Sequence, residues 1–207
     1  MRDPLSWQLA DSAFPSGGFA HSFGFEALRA LGYLRDEADL ALRLDELAWQ
    51  TAYAVLPFTT EAYTGDVIAV DQACDRFLTN HVANRSSRAQ GRAFLLAIEA
   101  VLDVRCALPC SHLPVVLGAS LGSRLPLDEL RELAMYGALR SAVSAAVRLG
   151  VVGPLRAQRL LLGAADAGRR ALTATQDLGS CAACSVAPVV ELAQASHDRL
   201  YARLFQS

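Results

Sequence analysis

The chain has 207 residues, of which 53% are hydrophobic and 19% charged, and its formal net charge is -2. This length and composition predict a single globular domain, spanning 1–207, with a sizeable core. All 19 basic residues are arginine, which excludes chemistry that needs a lysine amine: a Walker-A phosphate lysine, a Schiff base or a pyridoxal site.

The residue mix favours helices and gives no sign of a membrane or nucleic-acid partner. Ala and Leu dominate, whereas Ile occurs only at 68 and 98, so the predicted fold class is all-α. A nucleic-acid partner usually requires a basic excess, which is missing. No apolar run approaches the roughly 18 residues of a membrane span, and Asp3 and Pro4 interrupt any export signal. The five cysteines are therefore expected to be reduced thiols of a cytoplasmic protein.

Hydrophobic periodicity predicts one bundle of roughly eight to ten helices. The predicted spans are 5–10, 23–31, 36–56, 58–64, 66–79, 86–105, 115–121, 128–149, 155–172 and 186–205. The span 128–149 is apolar around most of its circumference, which is typical of a central helix. Residues 173–185 are predicted to form a long connector.

Three boundaries in this scheme depend on local signals. Pro57 is expected to end the helix that Asp36 opens, because proline removes a donor and clashes with the preceding turn. Ser86 and Ser87 are expected to provide the N-cap of the next helix. The last helix is predicted to end near Phe205.

The segment Pro15-Ser16-Gly17-Gly18-Phe19 must be a loop, and three interpretations of it remain open. Paired glycines before a helix could present free N–H groups to an anion, although the P-loop spacing and its lysine are absent. The loop could be a simple turn between helices, with His21 or Ser22 capping the second. It could also be a rigid surface that docks a partner protein.

Cys181-Ala-Ala-Cys184 invites a metal or redox interpretation, with His197 at a distance close to zinc-finger spacing. A fourth ligand is missing, and a redox C-x-x-C would need a βαβ context. Small apolar cysteines in an Ala-rich connector are the simpler interpretation. A small metal-binding protein using these three residues is nevertheless the alternative function. Pro109 argues against a shared helical face for Cys106 and Cys110.

No arrangement of residues indicates an enzyme. No G-x-S-x-G elbow pairs a nucleophile with a base, and no defensible pair of acid and base emerges. The carboxylates Glu26, Glu61, Glu99 and Glu191 are each predicted to lie alone on a helix, with Glu61 or Glu99 as candidates for pairing with arginine.

Arg140, Ser144 and Arg148 form a polar stripe at i, i+4 and i+8 of the otherwise apolar helix 128–149. Two buried arginines would cost several kcal/mol unless they are paired. The stripe therefore faces either bulk solvent or an interface or water-filled channel, and both interpretations stay open.

Four stretches occur in the order expected of one family. Residues 7–26 contain an apolar segment followed by D-S-x-x-P-x-G-G-F-x-x-S-x-G-x-E, and residues 87–91 fit S-x-x-Q-G. Residues 140–155 fit R-x-x-x-S-A-A-x-R-L-x-x-x-G-P-L, and residues 197–207 fit H-x-x-L-x-x-R-L-F-x-S. In these motifs the chain resembles the UreF family of urease accessory proteins. Phe25 stands where that family more often has leucine, and the match over 156–185 is loose, so Cys181 and Cys184 inherit no role.

The resemblance implies a non-catalytic, all-α homodimer that acts in maturation of the nickel enzyme urease. Such proteins bridge the accessory protein UreD, called UreH in some organisms, and the GTPase UreG, and their complex delivers nickel to apo-urease. A GTPase-modulating role and a nickel tunnel are proposed for the family. No cofactor is expected on this chain itself, because the wider complex handles nickel.

The resemblance also nominates residues for partner-binding or scaffold roles. Arg140 and Arg148 are candidates for the dimer or a polar passage, and the terminal residues are candidates for partner docking. The full set is Pro15, Gly17, Gly18, Phe19, His21, Ser22, Gly24, Glu26, Gln90, Gly91, Arg140, Arg148, His197, Arg203, Leu204, Phe205 and Ser207.

Overall fold

The computed structural model describes residues 4–207, so Asp3 lies outside the described range. Within it the chain forms ten α-helices and no strand, which confirms the all-α prediction. The helices are α1 (Pro4–Ala10), α2 (Phe25–Ala30), α3 (Glu37–Gln50), α4 (Leu56–Ala62), α5 (Val67–Phe77), α6 (His81–Leu102), α7 (Leu113–Leu121), α8 (Leu127–Arg148), α9 (Pro154–Ala174) and α10 (Pro188–Ala195). None of these helices is both long enough and apolar enough to span a membrane.

Pro57 does not end the helix that Asp36 caps, and that prediction was wrong. A π-helical turn over Thr51–Val55 joins α3 to α4, and Leu56 N donates to Thr51 O, five residues back. Pro57 has no N–H for the oxygen of Tyr53 four residues earlier. That oxygen instead accepts from Cys184 N at 3.1 Å, so the connector after α9 satisfies it.

The N-cap of α6 is Asn80, not Ser86 or Ser87. The Asn80 side chain accepts from Val82 N at 3.1 Å and from Ala83 N at 3.3 Å, which satisfies two of the free donors at the helix start. Ser86 and Ser87 therefore lie inside α6, where their hydroxyls are free to bond with distant parts of the chain.

The final segment is not one helix reaching Phe205. The helix α10 ends at Ala195, a 3₁₀ turn covers His197–Arg199, and the rest of the segment is irregular. The preceding connector is close to its prediction, since α9 runs to Ala174 and a 3₁₀ turn covers Ser180–Ala182. Residues 200–207 therefore form few hydrogen bonds with one another. Other parts of the chain must provide partners for their main-chain groups.

The helix α8 is central, as its apolar circumference predicted. It contributes to a core shared with α2, α3, α9 and α10, and also to a second core shared with α1, α6 and α7. A third cluster joins α4, α5 and α7. The buried arginine of α8 is Arg131, which sequence reasoning missed. Its guanidinium donates to Gln176 O at 2.6 Å and Thr175 O at 2.8 Å, carbonyls that follow α9.

Replacing Gly91 by alanine tests how closely α6 approaches the loop before α7. A Cβ at Gly91 would lie 1.9 Å from Ser111 O, so the backbone must move. We expect Gly91→Ala to lower the free energy of unfolding by about 3 kcal/mol. The control is Gly137→Ala in α8, where no neighbouring heavy atom lies within 4 Å and the change should be stabilising by about 0.5–1 kcal/mol. Urea unfolding of both variants measures the contrast, and equal effects would contradict the close approach.

Candidate partner-docking site

Residues 15–24, which we call the glycine loop, turn sharply because Gly17 and Gly24 adopt left-handed backbone angles. Gly17 has φ 73° and precedes a 3₁₀ turn over Gly18–Ala20, and Gly24 has φ 85° and precedes α2. A Cβ on Gly24 would also lie 3.0 Å from the Val190 oxygen of α10. Neither His21 nor Ser22 caps α2 with its side chain, which corrects that interpretation.

Glu26, at the start of α2, holds the end of the chain. One carboxylate oxygen accepts from Leu204 N at 2.5 Å, and the other accepts from Phe205 N at 3.2 Å and from His197 Nε2 at 2.9 Å. The carboxylate can only accept, so Nε2 carries the proton. Glu26 is 7% exposed and His197 is fully buried. Glu26 is therefore not the solitary carboxylate that its sequence context predicted.

Ser207 is bound to the glycine loop by both its main chain and its side chain. Its main-chain oxygen accepts from Ser22 N at 2.5 Å and from Ser22 Oγ at 2.9 Å. Its hydroxyl lies 2.6 Å from His21 Nδ1. Gln206 N donates to Ala20 O at 2.8 Å. We call residues 20–26 and 204–207, with the hydrogen bonds that join them, the terminal clasp.

The helix α6 contacts the terminal clasp through Ser86. Ser86 Oγ lies 3.0 Å from His21 Nδ1 and accepts from Gln90 Nε2 at 2.9 Å. Burial, assisted by the positive charge of Arg85 and by His197, lowers the pKa of His21 to about 4. At neutral pH the imidazole is therefore uncharged, and the clasp contains a buried network of neutral hydrogen bonds beside the Glu26 carboxylate.

Arg148 connects α8 to the same region. Its guanidinium donates to Phe19 O at 2.6 Å and lies 3.9 Å from the Phe19 ring centre and 4.1 Å from the Phe205 ring centre. Such cation–π contacts contribute about 0.5–2 kcal/mol each. Arg140 instead donates to Ala10 O at 3.0 Å, at the end of α1. Ser144 is exposed, so the stripe on α8 is only partly solvated.

The exposed side of the terminal segment carries a small charge cluster. Asp198 accepts from Arg85 Nη2 at 2.8 Å and from Arg203 at 3.3 Å, and it lies 3.3 Å from His81 Nε2. The hydrogen bond from Arg85 lowers the pKa of Asp198 to about 2. Because these groups face solvent, the ion pairs position the side chains more than they stabilise the fold.

Burial separates the nominated residues into two sets. Most of them are buried and can only act as a scaffold in this state; these are His21, Ser22, Gly24, Glu26, Gln90, Gly91, His197, Phe205 and Ser207. The second set reaches solvent and is available to a partner; it contains Pro15, Phe19, Arg203 and Leu204. Gly17, Gly18, Arg140 and Arg148 are half-buried. We call Phe19, Tyr201, Arg203 and Leu204 the docking surface.

The structure does not bring together the three metal ligands suggested by the sequence, but it brings together three others. Cys181 and Cys184 are exposed, whereas His197 is buried against Glu26, and these three do not form a close donor group. Within residues 4–207, the one group of three metal-binding side chains with donor atoms close together is Asp75, Cys110 and His112.

Several residues of the site were missed because their signals are not local. Outside the site, Glu61 was expected to pair with an arginine, but it accepts from Ser180 N at 2.7 Å. Ser86, Arg85 and Asp198 join the site through contacts across more than 60 positions. Only Ser86 had a visible signal, as a polar residue on the same helical face as Gln90, and it was interpreted as a cap.

The fold and the site define an all-α protein in which the loop before α2 and the end of the chain form a buried hydrogen-bond network. Residues 201–204, next to this network, reach solvent. The UreF family model matches residues 34–165, well over half of the chain. The chain belongs to the UreF family, which confirms the resemblance drawn from its motifs.

Full-length relatives extend the similarity to both ends of the chain. Urease accessory protein F of Arabidopsis thaliana is 30% identical over 224 aligned positions, covering 97% of this chain and 91% of the relative. The UreF proteins of Paenarthrobacter aurescens and Mesorhizobium japonicum are 32% and 31% identical. They cover 97% and 94% of this chain, and 96% and 92% of their own lengths are aligned.

The pKa of His21 predicts an acid-sensitive clasp. His21 takes up a proton near pH 6.5 when unfolded but only near pH 4 when folded, so the unfolded state binds more protons between these values. The stability contributed by neutral His21 is full above pH 6.5 and is lost as the pH falls toward 4, by at most about 1.4 kcal/mol per pH unit.

The variant His21→Asn keeps a polar group near the position of Nδ1 but cannot titrate. Urea unfolding of this variant between pH 7.5 and 4 should show a flatter pH dependence than the wild type. His81→Asn changes an exposed histidine and should follow the wild type. If His21→Asn retains the full wild-type slope, the buried neutral imidazole is not the source of the acid sensitivity.

Proposed function

We propose that the chain is a non-catalytic, cytoplasmic scaffold in the maturation of urease. In this proposal it bridges a UreD- or UreH-like accessory protein and the GTPase UreG, so that their complex can insert nickel into apo-urease. The observation that supports it most is the terminal clasp, which fixes a docking surface at the end of the chain. The expectation that it modulates the GTPase stays a prediction.

The clasp reduces the entropic cost of binding a partner. A free C-terminal segment would have to be ordered when it binds, at about 0.5–1.5 kcal/mol for each immobilised side chain. Here Glu26 and Ser22 already bind the main chain of Leu204, Phe205 and Ser207. The docking surface is therefore pre-organised, which favours a stable complex.

The exposed side chains of the docking surface have the chemistry of an interface. Phe19 is 73% exposed, Leu204 is 55% exposed and Tyr201 is fully exposed. Aromatic side chains and arginine are enriched at interfaces and at their energetic centres, and Phe19, Tyr201 and Arg203 are of these types. Arg203 adds a guanidinium whose planar donors can pair with a carboxylate of the partner.

We also propose that the chain forms a homodimer through the outer face of α9. Leu155 is 84% exposed and Leu162 is 77% exposed. They are seven residues apart, so they lie on the same face of α9 about two turns from each other. An exposed leucine stripe of this kind favours association with a second copy of the chain.

Weakening the docking surface should separate partner binding from folding. We expect Arg203→Ala, and truncation after Leu200, to reduce retention of the chain by an immobilised UreD-like partner. Loss of a central interface arginine typically weakens binding by about 2 kcal/mol, or roughly thirtyfold. Pull-down and titration calorimetry measure the loss, and far-ultraviolet circular dichroism of Arg203→Ala should show unchanged helicity. The truncation also removes the Leu204 and Phe205 donors of Glu26, so its folding is checked separately by urea unfolding.

The matched control is Arg124→Ala, which removes an exposed arginine in the turn between α7 and α8. It should bind like the wild type. Wild-type retention of both Arg203→Ala and the truncated chain would show that the terminal segment does not dock this partner.

The oligomeric state tests the dimer and its interface together. Size-exclusion chromatography with light scattering at micromolar concentration should give twice the chain mass of 22.1 kDa. The double variant Leu155→Glu with Leu162→Glu should elute as a monomer, because charges in an apolar interface are costly to bury. Leu96→Glu on α6, which alters a leucine that is 69% exposed, is the control and should remain dimeric. A strictly monomeric wild type would refute the dimer.

A further inference from the structure

The loop before α7 and the facing side of α5 bring three different metal donors together. Asp75 lies on α5, and Cys110 and His112 lie two positions apart in the loop. One donor atom from each, a carboxylate oxygen, the thiol sulfur and an imidazole nitrogen, lies within 4.8 Å of the other two. His112 Nε2 is already 3.1 Å from Asp75 Oδ1.

The loop that carries two of these donors is fixed by a buried carboxylate. Asp71 is fully buried and accepts from Cys110 N at 2.7 Å, Ser111 N at 3.0 Å and His112 N at 2.9 Å. Ser111 adopts the left-handed region with φ 61°, which bends the loop between the two donors. The positions of Cys110 and His112 are therefore set before any ligand arrives.

The donors also have the outer contacts that usually orient metal ligands. His112 Nδ1 lies 3.1 Å from Ser87 Oγ, so the second ring nitrogen has a partner of its own. Asp75 Oδ1 accepts from Asn84 Nδ2 at 3.0 Å.

We propose that Asp75, Cys110 and His112 form a binding site for one divalent transition-metal ion of borderline softness, such as Zn²⁺, Co²⁺ or Ni²⁺. Thiolate, imidazole and carboxylate together suit these ions rather than Ca²⁺ or Mg²⁺. An ion about 2.0–2.3 Å from each donor needs donor spacings of about 3.3–3.8 Å, which a side-chain rotation of Cys110 and Asp75 can supply. On binding, sulfur forms a bond to the metal and the thiol proton passes to solvent.

One neighbouring group competes with the ion. Arg88 Nη1 lies 3.8 Å from Asp75 Oδ1, and its positive charge opposes a cation there. Three protein donors also leave one or more coordination positions open, as in sites that exchange a ligand. The site therefore fits reversible metal binding better than a permanent structural ion.

Cobalt titration of the full-length, reduced and chelator-treated protein tests the site directly. Co²⁺ bound to a thiolate gives an intense near-ultraviolet charge-transfer band that carboxylate and imidazole ligands do not give. We expect saturation at one Co²⁺ per chain, with this band present, and displacement of the colour by Zn²⁺.

Two variants and one control test the ligands. Cys110→Ser should remove the charge-transfer band. Asp75→Asn should keep the band but weaken affinity about tenfold or more. The control is the double variant Cys181→Ser with Cys184→Ser, which removes the exposed thiols and should leave both the band and the affinity unchanged.

The proposal is overturned if the wild type shows no saturable band, if Cys110→Ser retains it, or if Asp75→Asn binds as tightly as the wild type. Loss of the band in the Cys181 and Cys184 double variant would place the ion on the connector instead. Circular dichroism of each variant shows that it is folded. Because the assay uses the isolated chain, its result is independent of whether the docking surface binds its partner.

Discussion

The conformation of the last residues of the chain depends on the buried carboxylate of Glu26. A carboxylate removed from water costs several kcal/mol unless it accepts hydrogen bonds. Its donors are His197 Nε2 and the main-chain N–H groups of Leu204 and Phe205, all more than 170 positions away. Conversely, the residues after the His197–Arg199 turn form no helix, so contacts with other parts of the chain must hold them in place. The start of α2 and the end of the chain therefore stabilise each other.

This mutual dependence explains how motifs at opposite ends of the sequence act as one unit. The glycine loop supplies main-chain groups for Ser207, and α8 supplies Arg148 between the rings of Phe19 and Phe205. Because α8 belongs to two of the hydrophobic cores, Arg148 connects the proposed docking surface to a helix that packs in both of them. Buried motif residues thus determine the shape of a surface that they do not themselves reach.

The helix α6 links the terminal clasp to the proposed metal site. Ser86 and Gln90, four residues apart, share one face and support His21. The neighbouring face carries Asn84 and Ser87, which contact Asp75 and His112. One helix therefore carries two polar faces, each serving a different site. The hydroxyls of Ser86 and Ser87 are available for this because Asn80 provides the cap.

The sequence by itself determined the features that depend on neighbours along the chain: the helix starts at Asp36 and Asp66, the sharp glycine loop, and the central position of α8, which is apolar around most of its circumference. The ordered motifs also determined the family. Only the tertiary structure decided that Pro57 lies within a continuous helix, because a distant Cys184 N–H satisfies the Tyr53 oxygen. It also decided that the terminal segment is irregular, and that Cys110 rather than Cys181 or Cys184 lies beside other metal donors. Those outcomes depend on hydrogen bonds and packing between residues that are 39 to 179 positions apart, which no local pattern encodes.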